Sequence, residues 1–434
     1  KTAKVYTDNG LVSLVYAPLL DGPETISFLS GFQEFVYNIE LAEAIIYNEY
    51  YVSKSGSDEN NGLTNGTAFK TIAHAIEVAK SLNANAKIHI SSGVYGESGL
   101  EILSYGEGFD SPHFSFMGYG NVVIDGNGAN KSIFTIRDGA ASFKNIRFTN
   151  VRGAENGGAI NIALNDIGNG LTNIDEALVN LTINNCTFDN LFVEGNGAAI
   201  NYNYASGKIN INNTKFYNLS SNANGGAIYI KEVNPSDLKI TKSIFKENSA
   251  NIGGALFLDI SNVTIANSNF INNSANDSAA SIAFYNASAI VENCLIANGS
   301  SRRQASAILI DNENGNIVTI KSSTIENNTG IDEDSGDGIN SGDGLSEDDT
   351  NIGEGENANN DDNYAIYVID GTADISYSSI VNNHSLATAQ SDDGSKQGIA
   401  IANNNWWGTN DPNEVIMGSN ILHVTLNNAG VLKV

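Results

Sequence analysis

The chain is poor in several things at once. Its 434 residues include 5 Pro, 2 Cys, 2 Met and 2 Trp, and 22 Lys+Arg stand against 49 Asp+Glu. The formal charge of −27 argues against nucleic acid, whose phosphates call for a basic surface, and against an anionic membrane. A basic partner, a cation or a solvated outer surface fits that charge better. No run of 18 apolar residues occurs, so no membrane-spanning helix and no membrane insertion are expected. The chain starts at Lys1 without Met or a legible signal segment, and reads as a processed or trimmed piece.

What it has in excess is Asn, 64 residues, together with 43 Gly. One short phrase organises this material. It reads Ile183-Asn184-Asn185-Cys186-Thr187-Phe188 and returns as Ile211–Phe216, Ile240–Phe245, Ile265–Phe270, Val291–Ile296, Ile320–Ile325 and Ile375–Ile380, with an earlier copy at Phe143–Phe148. The closing apolar residues step by 40, 28, 29, 25, 26, 29 and 55 positions. A period in the twenties marks a solenoid. A second phrase runs in phase: Gly157-Gly158-Ala159-Ile160 returns at Gly197, Gly225 and Gly253, with weaker copies at Ala305–Ile308 and Tyr364–Ile366. Strands this short bury a face only when stacked coil on coil, about 4.8 Å apart. The expected fold is all-β, a right-handed single-stranded parallel β-helix.

The columns of the phrase have separate tasks. Its first and last apolar residues point inward. The small residue two before the last one (Cys186, Thr214, Ser243, Ser268, Cys294, Ser323, Ser378) is expected inward beside a bend. The Asn before it (145, 185, 213, 267, 293) suits a left-handed bend, as does a second column at Asn150, Asn190, Asn218, Asn272, Asn298, Asn327 and Asn382. These rows read as turn ladders, with a sugar-binding face as the functional alternative. Cys186 and Cys294 share a column four coils apart, roughly 19 Å at that spacing, too far for a disulfide. They are expected to be buried free thiols.

Residues 1–49 do not follow the repeat; strands are expected near Val12–Tyr16 and Ile26–Leu29, and a strand or helix over Glu34–Tyr47. The solenoid with its cap spans 50–412, and 413–434 finish it. An amphipathic helix from about Ala68 to Asn83, with Phe69, Ile72, Ile76, Ala79 and Leu82 on one face and Thr67 or Asn65 as its cap, would cover the open first coil. The stretch 331–363 holds 12 acidic residues and no Lys or Arg. Removing it restores the period, so it reads as a solvated loop between adjacent coils. If it binds calcium, Asp332, Asp334, Asp337 and Asp343 would hold the ion, although their spacing fails the EF-hand pattern. No other cofactor is implied.

The cap residues Tyr50–Asp58, Phe69–Ile76 and Ser92–Tyr95, with Ile124-Asp125-Gly126, resemble the N-terminal coils of pectin-lyase-like β-helix proteins. Gly-Gly-Ala-Ile with Phe270-Ile-Asn-Asn273 is similar to the polymorphic outer-membrane protein repeats of chlamydiae. Asn403–Pro412, containing Asn405-Trp406-Trp407-Gly408, resembles the closing motif of adhesin-like β-helix proteins of methanogenic archaea. The chain lacks the tandem immunoglobulin-like repeats and surface anchor such proteins carry. The resemblance implies a secreted or cell-surface adhesin-like protein, not an enzyme, whose partner is a glycan or a cell-surface protein.

Thirteen Asn-X-Ser/Thr sequons fit an exported chain: Asn65, Asn130, Asn180, Asn185, Asn212, Asn218, Asn262, Asn272, Asn276, Asn286, Asn298, Asn327 and Asn383. The enzymatic alternative is a polysaccharide lyase or glycoside hydrolase. Four residues after the Ala column stand Lys231, Asp259, Tyr285 and Asp311, with Asp259 and Asp311 two coils apart, about 9–10 Å. That separation suits a carboxyl pair, with Lys231 beside it and Arg302-Arg303 on the turn leading to Asp311. The histidines (74, 89, 113, 384 and 423) show no metal spacing. Trp406 and Trp407 are expected to plug the end of the core, with sugar binding as their alternative.

Overall fold

A computed structural model describes residues 47–82, 85–102, 113–137, 139–163, 178–232, 236–302, 305–312, 315–330, 364–388, 397–408, 416–417 and 421–426, and, in a preceding unit, 2–7, 10–15, 24–30 and 33–39. The chain divides into two compact units, Lys1–Ile46 and Tyr47–Val434. The first holds two antiparallel hairpins, Thr2–Thr7 with Gly10–Val15 and Glu24–Ser30 with Gln33–Ile39. The segment from Glu34 therefore includes a strand rather than a helix, and the strand at Thr2 was not legible in the sequence.

The second unit is a parallel β-helix. Its first inward column runs in continuous register through Tyr50, Ile88, Phe116, Phe143, Ile183, Ile211, Ile240, Ile265, Val291, Ile320, Ile375 and Ala402. Every pairing is parallel; Phe143 through Ile375 belong to the expected repeat and Tyr50 to the expected cap, while Ile88, Phe116 and Ala402 carry the column beyond them. A second column contains Phe148, Phe188, Phe216, Phe245 and Phe270, whose rings stack at centroid distances of 4.8, 5.0, 4.6 and 4.7 Å and within 8° of parallel. A third, on the other wall, runs Phe134, Ile160, Ile200, Ile228, Leu256, Ile282, Ile308, Ile366 and Leu386. All three are buried in one core. A strand of three residues buries too little to hold its place alone; identical side chains one rung apart supply the missing partner surface.

The bends follow from conformation. Asn145, Asn185, Asn213, Asn267 and Asn293 all have φ between 48° and 58°, and Asn150, Asn190, Asn218, Asn272, Asn298, Asn327 and Asn382 between 51° and 61°. Asn is tolerated there because its short polar side chain bonds locally. Its amides also bridge coils: Asn185 Nδ2 donates to Asn145 Oδ1 at 2.8 Å and Asn213 Nδ2 to Asn185 Oδ1 at 3.0 Å. In the Gly-Gly phrase the first glycine carries the left-handed turn, φ 66° at Gly225 and 67° at Gly253. A Cβ on either would lie 2.3 Å from the carbonyl oxygen of Ile228 or Leu256.

The small inward column has a second reason beyond size. Each hydroxyl accepts the backbone N–H of the preceding coil: Thr214 N donates to Ser243 Oγ at 3.2 Å, Ser243 N to Ser268 Oγ at 3.1 Å and Cys294 N to Ser323 Oγ at 3.2 Å. Cys186 and Cys294 sit in this column, free and buried. Burial pushes their thiols up to about 12 and about 11. A further ladder lies inside, where Asn248 Nδ2 reaches Asn273 Oδ1 at 3.0 Å and Phe216 O at 3.2 Å, and Asn328 Nδ2 reaches Asn383 Oδ1 at 3.1 Å.

The helix α1 covers Ile72–Ser81, shorter than expected, and its cap is Thr71, whose side chain accepts from His74 N. Neither Thr67 nor Asn65 caps it; they form a separate 3-10 turn. Phe69 precedes α1, and Leu82 closes it as an exposed residue rather than joining the apolar face. The helix N-terminus is held by acids from outside it. Glu97 accepts Ile72 N at 3.0 Å and Ala73 N at 2.8 Å, and Asp58 accepts Lys70 N at 2.8 Å and Thr71 N at 3.0 Å.

Ile317–Lys321 pairs directly with Thr372–Ser376, and Thr324–Glu326 with Ser379–Val381. The coils flanking 331–363 are therefore adjacent, as the restored period requires. The stretch itself, with Asp332, Asp334, Asp337 and Asp343, lies outside the described residues. At the far end the two tryptophans part: Trp407 is 2% exposed and Trp406 40%. Only Trp407 joins the core.

Candidate functional site

Alternation along a strand sends every second residue outward. On the strands that carry the first inward column, the outward residues of five successive coils line an open groove of about 660 Å³. Its lining includes Lys208 and Asn210, Asp237 and Lys239, Asn262 and Thr264, Ser288 and Ile290, and Ile317 and Thr319, with Gly315 and Asn316 at one edge. The register places Lys208 beside Asp237 and Asn210 beside Lys239. Asn262 Nδ2 donates to Asp237 Oδ1 at 3.1 Å, and Ser288 Oγ to Asn316 Oδ1 at 3.2 Å. Neither Lys208 nor Lys239 belongs to an ion pair among the described residues. Ile290 and Ile317 are 42% and 49% exposed. The groove thus offers ammonium, amide and hydroxyl groups beside two bare aliphatic faces. Among the described residues only Asp237 brings a carboxyl into it.

The second place is the strip expected from the sequence. The structure brings it together: Lys231 pairs with Asp259, Asp259 with Tyr285, Tyr285 with Asp311, and Asp311 with Asp370. Tyr285 therefore stands in register between the two carboxylates. Its ring stacks on Phe257 at 4.7 Å, and Phe257 stacks on Tyr229 at 5.0 Å. Ala283 opposite Phe257 leaves room for that lean. Burial, then the charges of Asp311, Asp277 and Asp259, hold the Tyr285 phenol well above its ordinary range, so it stays neutral. Glu232, which sequence reasoning missed, adjoins the strip. It accepts Ser236 N at 2.8 Å and bonds the Ser261 hydroxyl, and burial raises its carboxyl despite those donors.

Among the described residues no group of three His, Cys, Asp or Glu side chains could hold a metal ion. His89 lies between Tyr51 and Tyr119 on the outer face of the first coils, stacked on Tyr51 at 4.7 Å and bonded through Nδ1 to Tyr119 Oη at 2.8 Å.

The sequon asparagines fall into distinct settings. Asn65, Asn130, Asn218, Asn262, Asn272, Asn276, Asn298 and Asn327 are exposed. Asn180 accepts Lys208 N through Oδ1 at 2.9 Å, Asn286 Nδ2 is turned to Asp259, and Asn383 Nδ2 is spent inside on Ile325 O at 2.9 Å and Val381 O at 2.8 Å. The sequence could show the strip because its residues share a fixed offset from the Ala column. The groove had no such mark: its lining is a set of ordinary outward positions, and its concavity comes from how the coils pack.

No protein-family model matches this chain, and no curated protein matches it. Solved structures resemble it. Pectin methylesterase PemA from Erwinia chrysanthemi aligns over 87% of this chain and 94% of its own at 13% identity and a TM-score of 0.27. The pectin methylesterase from Aspergillus niger, in deglycosylated form, aligns over 88% and 92% at 12% identity and a TM-score of 0.28. The A-module of the Azotobacter vinelandii mannuronan C-5 epimerase AlgE6 aligns over 82% and 95% at 12% identity and a TM-score of 0.27. The parallel β-helix assignment rests on the strand register and not on these similarities.

Proposed function

We propose that this chain is an adhesin-like protein, secreted or displayed at a cell surface, which holds an extended glycan along the five-coil groove. The observation that carries the reading is the groove's lining. Lys208, Lys239, Asn210, Thr264 and Thr319 supply hydrogen-bond donors and acceptors for sugar hydroxyls, and Ile290 and Ile317 supply apolar contact for ring faces. Successive coils present such groups at a repeat of about 4.8 Å, so a polymer gains many weak contacts along one direction. The reading involves no cofactor, calcium at the acidic stretch excepted, and no catalysis.

The second reading is a polysaccharide lyase or glycoside hydrolase working at Lys231, Asp259 and Asp311. Their common register favours it. Against it, the coil between the two carboxylates brings no third carboxyl or base at that register but Tyr285, whose phenol stays neutral. Arrays of plant, algal and animal glycans, probed with wild type and with Lys208→Ala/Lys239→Ala, test the first reading. Retention on no glycan, or retention unchanged in the variant, refutes it.

A further inference from the structure

We infer that one edge of the solenoid, carried by Asn218, Asn272, Asn298 and Asn327, is a row of N-glycan acceptors. The inference rests on the chain's being exported, as proposed above. Each of the four opens an Asn-X-Ser/Thr sequon, closed by Ser220, Ser274, Ser300 and Thr329. Each sits at the same corner of its coil with φ of 51°, 55°, 56° and 54°, and each is exposed. The closing hydroxyl residues are themselves in register through Ser249: Ser220 pairs with Ser249, Ser249 with Ser274, Ser274 with Ser300, and Ser300 with Thr329. Acceptor amide and recognition hydroxyl therefore repeat together along the edge.

The amide atom that reacts is the one the fold leaves over. No hydrogen bond among the described residues uses Nδ2 of these four; Asn327 accepts Asn382 Nδ2 through Oδ1 at 3.1 Å, a bond that survives substitution at Nδ2. Four other sequons differ. Asn185 donates Nδ2 to Asn145 at 2.8 Å, Asn212 to Asn184 at 3.5 Å, Asn262 to Asp237 at 3.1 Å, and Asn383 to the backbone oxygens of Ile325 and Val381. In the transfer, Nδ2 forms a bond to the anomeric carbon of a lipid-phosphate-linked oligosaccharide. The bond from that carbon to phosphate oxygen breaks, the phosphate leaves with its electron pair, and one Nδ2 proton passes to a base of the transferase. Glu247 interrupts the row between Asn218 and Asn272 at the same left-handed corner, φ 59°. Asn272, Asn298 and Asn327 follow on consecutive coils, only about 4.8 Å apart. Branched glycans at all three would overlap, so the middle acceptor loses to its neighbours.

The test is the full chain secreted from a eukaryotic host that glycosylates Asn, its folded fraction read by glycopeptide mass spectrometry. The expected result is high occupancy at Asn218, Asn272 and Asn327, lower occupancy at Asn298, and none at Asn185, Asn212 or Asn383. Ser220→Ala, Ser274→Ala, Ser300→Ala and Thr329→Ala each remove a sequon while leaving Asn at its bend; each should melt with wild type, and Ser274→Ala should raise occupancy at Asn298. An unmodified edge on folded protein, or glycans on Asn185, Asn212 or Asn383 there, overturns the inference. Equal occupancy at Asn272, Asn298 and Asn327 in one molecule overturns the exclusion between coils. Groove binding is read on unglycosylated chain, so either proposal can fail alone.

Discussion

Replacing Phe216 by Ala should cost this protein about 4–5 kcal/mol. Phe216 is fully buried, with Phe188 stacked on one side at 5.0 Å and Phe245 on the other at 4.6 Å. Truncating a buried Phe costs about 3–5 kcal/mol through lost transfer energy and the cavity left behind. Stacked pairs add about 0.5–1.5 kcal/mol beyond area, and two pairs are lost, which puts the site at the upper end. The coils above and below cannot collapse inward, because each strand is pinned by its ladder to the next. Phe216→Leu keeps most of the volume and should cost about 1–1.5 kcal/mol. The assay is equilibrium urea unfolding followed by far-UV circular dichroism, compared as midpoint shifts at constant slope. A loss below about 1 kcal/mol for the Ala variant would refute the stacked column. A changed slope would show instead that the solenoid unfolds in sections, as nearest-neighbour coupling permits.

Four further outcomes follow. Asp58→Ala should cost about 1 kcal/mol at neutral pH, the usual value of a helix N-terminal acceptor. Burial alone would raise Asp58, but hydrogen bonds from Thr71 and Lys70 outweigh it and lower its pKa; its contribution is therefore present above the ordinary Asp value and lost as pH falls through the folded one, so the variant and wild type should converge in urea melts in acid. Glu97 runs the other way: burial, only partly offset by the Ile72 and Ala73 N–H groups, raises it, so its ionisation weakens the fold as pH rises from the ordinary Glu value through the folded one, and Glu97→Gln should flatten that part of the stability profile. Mass spectrometry after alkylation should find Cys186 and Cys294 unreacted in native protein and both labelled in urea without reductant; a missing label would mean a bridge. Deleting 331–363 should leave the cooperative melt intact, since its flanking coils already pair, and a calcium-dependent melting shift present only in the full chain would assign that stretch the ion.

Most of the tube was legible because its stabilising unit is a repeat. Any residue that must stack on its own copy leaves a period in the sequence, which is how the Ile and Phe columns, the left-handed Asn corners and the buried thiols could be placed. Residues whose partner lies on a different element left no period. Glu97 reaches back to α1 across the first coil, and nothing around it marks it as a cap. The ladder of Asn248, Asn273, Asn328 and Asn383 was hidden by its neighbours, since an Asn-Asn pair does not say which member turns inward. Ala279 has φ 60°, where other coils use Gly, and so that copy of the phrase escaped notice. The Asp259–Asp311 strip was readable from its offset; that the Tyr285 ring leans over Ala283 onto Phe257 is something only packing reveals.

Binding without cleavage along the groove is the central claim, and one paired measurement tests it most directly. Wild type, a Lys208→Ala/Lys239→Ala/Ile290→Ser variant and an Asp259→Asn/Asp311→Asn variant are each incubated with immobilised pectins, alginates, glycosaminoglycans and host-type glycans. Retained protein and released reducing ends or unsaturated sugars are then measured together. Surface substitutions of this kind change stability by less than about 0.5 kcal/mol, so all three should stay folded. The account predicts retention of wild type and of the Asp variant on the same glycan, loss of retention in the groove variant, and no released product in any case. Product released by wild type and abolished in the Asp variant, with retention unaffected by the groove substitutions, would contradict it and make Asp259 and Asp311 the acid and base of an enzyme.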